Sequence, residues 1–178
     1  MPVFALRCQG FWAYFESVIT KTMCMRQKLL IVPFIGIEPV RFGMTTREVA
    51  LLLGPPEELL IDSSNGELRE FRRDNALQLL YKNKGEHLAE IGLDATIDEL
   101  YFENTAVFKG DPLQIAQALC SMDENPQEYE GCVLLLNLGI ALRGFEEGSI
   151  VPRTITVFES LRWGELKTGV KPYQAYKI

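Results

Sequence analysis

Histidine occurs once in the 178 residues, at His87, and none of the four cysteines, Cys8, Cys24, Cys120 and Cys132, belongs to a Cys-x-x-Cys pair. A zinc site needs a cluster of thiolates and imidazoles, so no metal centre is expected. The helix bracketed by Gly43 and Gly54 has neither a Gly-x-Gly-x-x-Gly nor a Gly-Lys-Ser/Thr sequence beside it, which removes the usual phosphate-cradling loop. No serine or cysteine sits in a nucleophile elbow, so His87 beside Gly85 reads as a surface residue. The longest apolar stretch, Leu29 to Ile37, is interrupted by Pro33 and Gly36. It falls short of the roughly 18–20 apolar residues that cross a bilayer. No catalytic residue, cofactor or membrane span is expected from this inventory.

A hydrophobic fraction of 47% and a charged fraction of 24% suit a folded globular chain. The length suits one domain, or two small halves sharing a core. The net charge is −6 and the isoelectric point about 4.9. Its distribution is uneven: residues 1–30 hold four basic side chains against one acidic, and the remainder carries a net −9. An acidic body repels phosphate backbones and attracts basic proteins, so nucleic acid is not expected as a partner.

Residues 1–28 do not match the rest. Phe11-Trp-Ala-Tyr-Phe15 runs into Glu16, which spoils a signal-peptide core, and Thr22-Met-Cys24 lacks the small residues of a lipoprotein box. The segment is either an aromatic, mildly basic helix that docks on the body or on a partner, or an extension outside the native fold, with Met23 or Met25 as the start. The second reading is preferred. Thiols in a reducing cytoplasm are the expected state of the cysteines, with a Cys120–Cys132 bridge the alternative for a secreted chain.

What is present is a repeat. Phe42-Gly-Met-Thr-Thr-Arg-Glu-Val-Ala-Leu-Leu-Leu-Gly-Pro-Pro56 returns as Phe108-Lys-Gly-Asp-Pro-Leu-Gln-Ile-Ala-Gln-Ala-Leu-Cys120. Thr45 and Glu48 form a capping box, Val49, Leu52 and Leu53 an apolar stripe, and Gly54-Pro55-Pro56 a stop. In the second copy Asp111 and Gln114 cap, Pro112 takes the first helical position, and Ile115, Ala118 and Leu119 make the stripe. Strands are expected at 58–62, 67–73, 77–81 and 88–93, turning at Ser63-Ser-Asn-Gly66 and Asn83-Lys-Gly85, with Phe71 facing inward. A further short strand is expected within 97–102. After an acidic loop over Ser121–Gly131, strands are expected at 133–136, 139–142 and 154–158. The expectation is an α+β protein of two tandem repeats, 29–106 and 107–178. Each is a capped helix followed by an antiparallel meander, with helices packed on sheet.

The Phe42–Pro55 stretch resembles the Gly-Met-Thr-x-x-x-Val-x-x-x-Leu-Gly-x-Pro signature of the small lipoprotein of the outer-membrane barrel-assembly machinery, the SmpA/OmlA-like fold. The body, with Leu136-Asn-Leu-Gly-Ile-Ala-Leu142 and Thr154-Ile-Thr-Val-Phe158, looks closer to small bacterial proteins of unassigned function, some similar to cytoplasmic immunity proteins. These resemblances imply a non-enzymatic protein-binding module, immunity or antitoxin-like, with a basic toxin as partner. The alternative is a small-molecule-binding or envelope-assembly module. Arg72 and Arg143 lie on corresponding strands and, with Trp163, are the candidate partner-binding residues. Unpaired strand edges leave a homodimer open.

Overall fold

The computed structural model, which describes residues 28–74, 76–163 and 169–173, holds two helices with side-chain N-caps among those residues. At α1 (Thr46–Leu53) the box is reciprocal: the Thr45 N–H donates to Glu48 Oε2 at 2.8 Å, and the Glu48 N–H to Thr45 Oγ1 at 3.2 Å. Gly54 ends the helix with a left-handed φ of +80°. At α2 (Pro112–Cys120) the box is half made: the Asp111 carboxylate accepts from the Gln114 N–H at 2.9 Å. The buried faces are rotated from those expected. Val49 is buried in α1 with Leu53 packed beside it, but Leu52 faces out; α2 buries Ile115, Ala116, Leu119 and Cys120.

The strands preceding α1 are β1 (Leu29–Val32), β2 (Gly36–Ile37) and β3 (Val40–Arg41). After it come β4 (Glu58–Asp62), β5 (Glu67–Arg72), β6 (Leu77–Lys82) and β7 (His87–Asp94). Short strands β8 (Leu100–Phe102) and β9 (Thr105–Ala106) lead to α2. It is followed by β10 (Gln127–Tyr129), β11 (Cys132–Leu135), β12 (Ile140–Arg143), β13 (Thr154–Phe158) and β14 (Lys171–Pro172).

Strands β4 to β7 form one antiparallel meander and β10 to β13 another. Their last strands pair antiparallel, Leu93 opposite Ile155 and Ile91 opposite Val157, so a single nine-stranded sheet runs β14-β10-β11-β12-β13-β7-β6-β5-β4. A second sheet of five short strands runs β3-β2-β1-β8-β9. Its β1 and β8 are parallel, with Ile31 opposite Phe102, a pairing that encloses the whole first meander. Between the sheets lies one core, shared by Ile31 and Phe102 of the small sheet, Leu79, Ile91 and Ile155 of the large one, and both helices.

Two further expectations are corrected. On β5 the inward residues are Leu68, Glu70 and Arg72, while Phe71 is only half-buried on the opposite face. Pairing decides this, since Leu68 stands opposite Tyr81 and Glu70 opposite Leu79. The Ser121–Gly131 loop contains β10 and is anchored by buried Asp123, which accepts from the Asn125 and Asn137 backbone N–H groups and from Asn137 Nδ2. Cys120 and Cys132 are both free thiols, the expected state, with Cys120 buried in the core at the end of α2. The reading of residues 1–28 as an extension falls, apart from Lys28, outside the described residues.

Candidate functional site

Arg72 does not reach the surface. It is 4% exposed, and its guanidinium is consumed at the end of α1. Nη2 donates to the Gly54 carbonyl at 2.9 Å, Nη1 to the Leu53 carbonyl at 3.2 Å, and Nε to the Glu70 carboxylate. A cation at a helix C-terminus satisfies orphan carbonyls and the negative end of the dipole. The second Glu70 oxygen accepts from the Tyr81 hydroxyl at 3.1 Å. Burial, then the neighbouring Glu70 charge, pushes the Tyr81 phenol far above its usual range.

Arg143 is exposed on β12, and β13, β7 and β6 stand between that strand and β5. The two arginines therefore do not meet. Trp163 is half-buried and packs on Phe158, with ring centroids 5.9 Å apart. With Tyr129, Cys132 and Leu136 it covers Leu134, Ala141 and Phe158 on the outer face of the large sheet. Trp163 thus closes a small second core, and its Nε1 has no hydrogen-bond partner among the described residues.

The outer face carries one cross-strand row with a residue from every strand: Glu58, Phe71, Gln78, Gly92, Thr156, Ala141, Leu134, Gln127 and Pro172. The segment after β13 crosses this face. The Glu159 N–H donates to the Ala89 carbonyl at 3.0 Å. The Glu159 carboxylate accepts from Lys82 and lies 2.5 Å from His87 Nε2. Arg162 then bridges Glu90 and Glu67, each at 2.7 Å. Burial alone would raise the Glu159 carboxyl, but the hydrogen bonds from Lys82 and His87 outweigh it and hold the group below the ordinary glutamate range. None of this strap was legible beforehand, because Glu159 and Arg162 find partners 72 to 95 residues away. A carboxylate holding an imidazole is half of a base-and-orienter arrangement. Among the described residues the His87 ring bonds only to Glu159, and no hydroxyl or thiol completes the set.

The free margin of the large sheet is β4. All five of its residues are exposed, including Leu59, Leu60 and Ile61, and Leu51 and Leu52 of α1 are exposed as well. Glu58 and Asp62 bracket the strand. The Glu58 side chain makes no hydrogen bond or ion pair among the described residues, although its backbone pairs with Phe71. Asp62 accepts from the Ser64 hydroxyl and N–H, which hold its carboxyl below the ordinary range. Glu57, just before the strand, accepts from the Arg73 and Asp74 N–H groups.

Between the sheets lies an apolar hollow of about 30 Å³, lined by Leu29, Ile37, Pro39, Leu53, Leu77 and Ile97 among others. That is room for a few water molecules at most. Among the described residues no three His, Cys, Asp or Glu side chains are grouped to hold a metal ion, and no helix is long and apolar enough to cross a membrane. No family model, curated protein or solved structure matches the chain.

Proposed function

We propose that this chain is a non-enzymatic protein-binding module, of the immunity or antitoxin type, that seats a basic protein partner in the cytoplasm. The observation that carries this reading is the α1–β4 margin: five exposed leucines and isoleucines between residues 51 and 61, bracketed by carboxylates, on an acidic protein. Apolar side chains gathered at one margin favour a protein contact, and the surrounding negative charge selects and steers a basic one. The metabolite reading has less support, because the hollow described between the sheets is small, about 30 Å³, and apolar. The enzyme reading has less as well, since the imidazole of His87 is engaged by a carboxylate and no nucleophile among the described residues bonds to it.

Part of the same reading is that the two helix-plus-meander runs are duplicates. Each has a side-chain-capped helix followed by four antiparallel strands, and they join through equivalent last strands. A backbone superposition of residues 42–93 on 108–158 from crystal coordinates tests the duplication; strands that fail to align remove it.

The functional test is calorimetric titration of the full chain against the products of neighbouring genes. A stoichiometric complex with a basic protein is expected. Its association should slow about tenfold or more between low and high salt. No binding to any of these proteins, together with binding or turnover of a small molecule by the purified chain, overturns the reading.

A further inference from the structure

The two edges of the nine-stranded sheet are protected very differently. At one end β14 is two residues long and consists of Lys171 and Pro172. A lysine discourages strand addition, and a proline has no N–H to offer. At the other end β4 is five residues long, contains neither lysine nor proline, and keeps an unbroken register with β5. Among the described residues no strand pairs with its outer side. Its alternate N–H and C=O groups therefore form an open template.

We infer that β4 receives an extended segment of the partner as a tenth strand, with a lysine or arginine opposite Glu58, another opposite Asp62, and three apolar residues between. The inference rests on the protein-binding reading and adds the mode of contact and the chemistry of the segment. Charge decides the occupant. The strand reads Glu-Leu-Leu-Ile-Asp, so a second copy paired antiparallel about Leu60 would set Glu58 against Asp62 twice. Like charges directly opposite oppose pairing, and opposite charges favour it. Among the described residues the Glu58 side chain has no competing partner, and Asp62 is held in its charged form by Ser64. The ends of the tract are set by Pro55-Pro56 on one side and the Ser63–Gly66 turn on the other, which limits the docked segment to about five residues. Faces alternate along the strand. Leu59 and Ile61 stand opposite Glu70 and Leu68, the inward side, so two apolar residues of the incoming strand would extend the core side. The three residues opposite Glu58, Leu60 and Asp62 fall on the outer face.

The test uses the full chain, labelled with nitrogen-15, and two synthetic peptides. One is Gly-Ser-Lys-Val-Ile-Val-Lys-Ser-Gly; the other replaces both lysines with glutamate. The lysine peptide is expected to shift and protect backbone amides within residues 58–62, and to bind about tenfold more tightly than the glutamate peptide. Glu58→Gln should narrow that preference and Glu58→Lys should narrow it further, with amide dispersion outside β4 unchanged as the control for folding. Equal affinity of the two peptides, or shifts confined to another surface, overturns the inference. So does protection of β4 amides in the free chain, whether sedimentation shows a dimer or a monomer covered by its own terminus. A gene-neighbour protein that binds while leaving the β4 amides unchanged overturns the strand inference and leaves the module reading standing. Absence of any protein partner, with the lysine peptide still selected at β4, does the reverse.

Discussion

Arg72 closes the C-terminal end of α1 through Gly54, donating from Nη2 to its carbonyl at 2.9 Å. The contact joins residues 18 positions apart and fixes the helix against the inner face of β5. Its cost is a buried ion pair, because Glu70 must be desolvated beside the guanidinium and is 1% exposed. The arrangement is sustained because each charged group has more than one partner: Glu70 also accepts from Tyr81, and Arg72 also serves Leu53.

Arg72→Met is therefore expected to be severely destabilising. It leaves the Glu70 carboxylate in the core without its counter-charge and uncaps α1, so unfolding free energy should fall by about 3–5 kcal/mol. Glu70→Leu combined with Arg72→Met removes both charges and should cost less than Arg72→Met alone. Urea unfolding of the three proteins checks this; a single variant within about 1 kcal/mol of the parent would show that the network contributes little.

The same two residues mark the limit of what could be read beforehand. The capping box at Thr45 and Glu48, the Gly54 stop and the positions of β4 to β7 and β11 to β13 were visible, because each depends on residues a few positions apart. The direction of β5 was not. In the run Glu67-Leu-Arg-Glu-Phe-Arg72, alternation offers two faces, and Phe71 made one look apolar. Only the pairing of Leu68 with Tyr81 turns the ionic face inward. The parallel pairing of β1 with β8 and the strap from Glu159 to Arg162 were hidden for a related reason: their partners lie about 70 or more residues away, where periodicity carries no information. Of the three candidate residues, Arg72 drew notice by its place on a corresponding strand and Trp163 by residue type, and both are occupied in packing. The β4 margin is made of ordinary leucines and was readable only as a strand.

Acid sensitivity should trace in part to Glu159. Its folded carboxyl titrates below the ordinary value of 4.5, so at acid pH the unfolded chain binds more protons than the folded one. The contribution to stability is present above about pH 4.5 and is lost as pH falls through the lower, folded value. Glu159→Gln should be less stable than the parent at neutral pH, with the gap narrowing as pH drops from 5 towards 3, the pH range chosen from about the carboxylate reference values. Chemical unfolding at stepped pH measures it; a gap that stays constant would show that the Lys82 and His87 contacts do not act through the charge.

Two glycines separate a vacant position from a required one. Gly92 lies in the middle of the outer row, and a Cβ there would meet Gln78 Cβ at 3.7 Å and Thr156 Oγ1 at 3.8 Å, ordinary contact distances. Gly92→Ala should raise stability by about 0.5 kcal/mol, because alanine loses less backbone freedom on entering a strand. Gly144 follows β12 with φ +74°, and a Cβ there would lie 2.6 Å from the Val151 carbonyl oxygen and 2.7 Å from that of Pro152. Neither oxygen is on a flexible side chain, so the β12–β13 connection must shift as well as accept a left-handed alanine. Gly144→Ala should cost about 3 kcal/mol, lowering the melting temperature by about 8 °C. Thermal unfolding of both variants beside the parent decides the matter: equal effects would mean that the β12–β13 connection does not close against Gly144 as described.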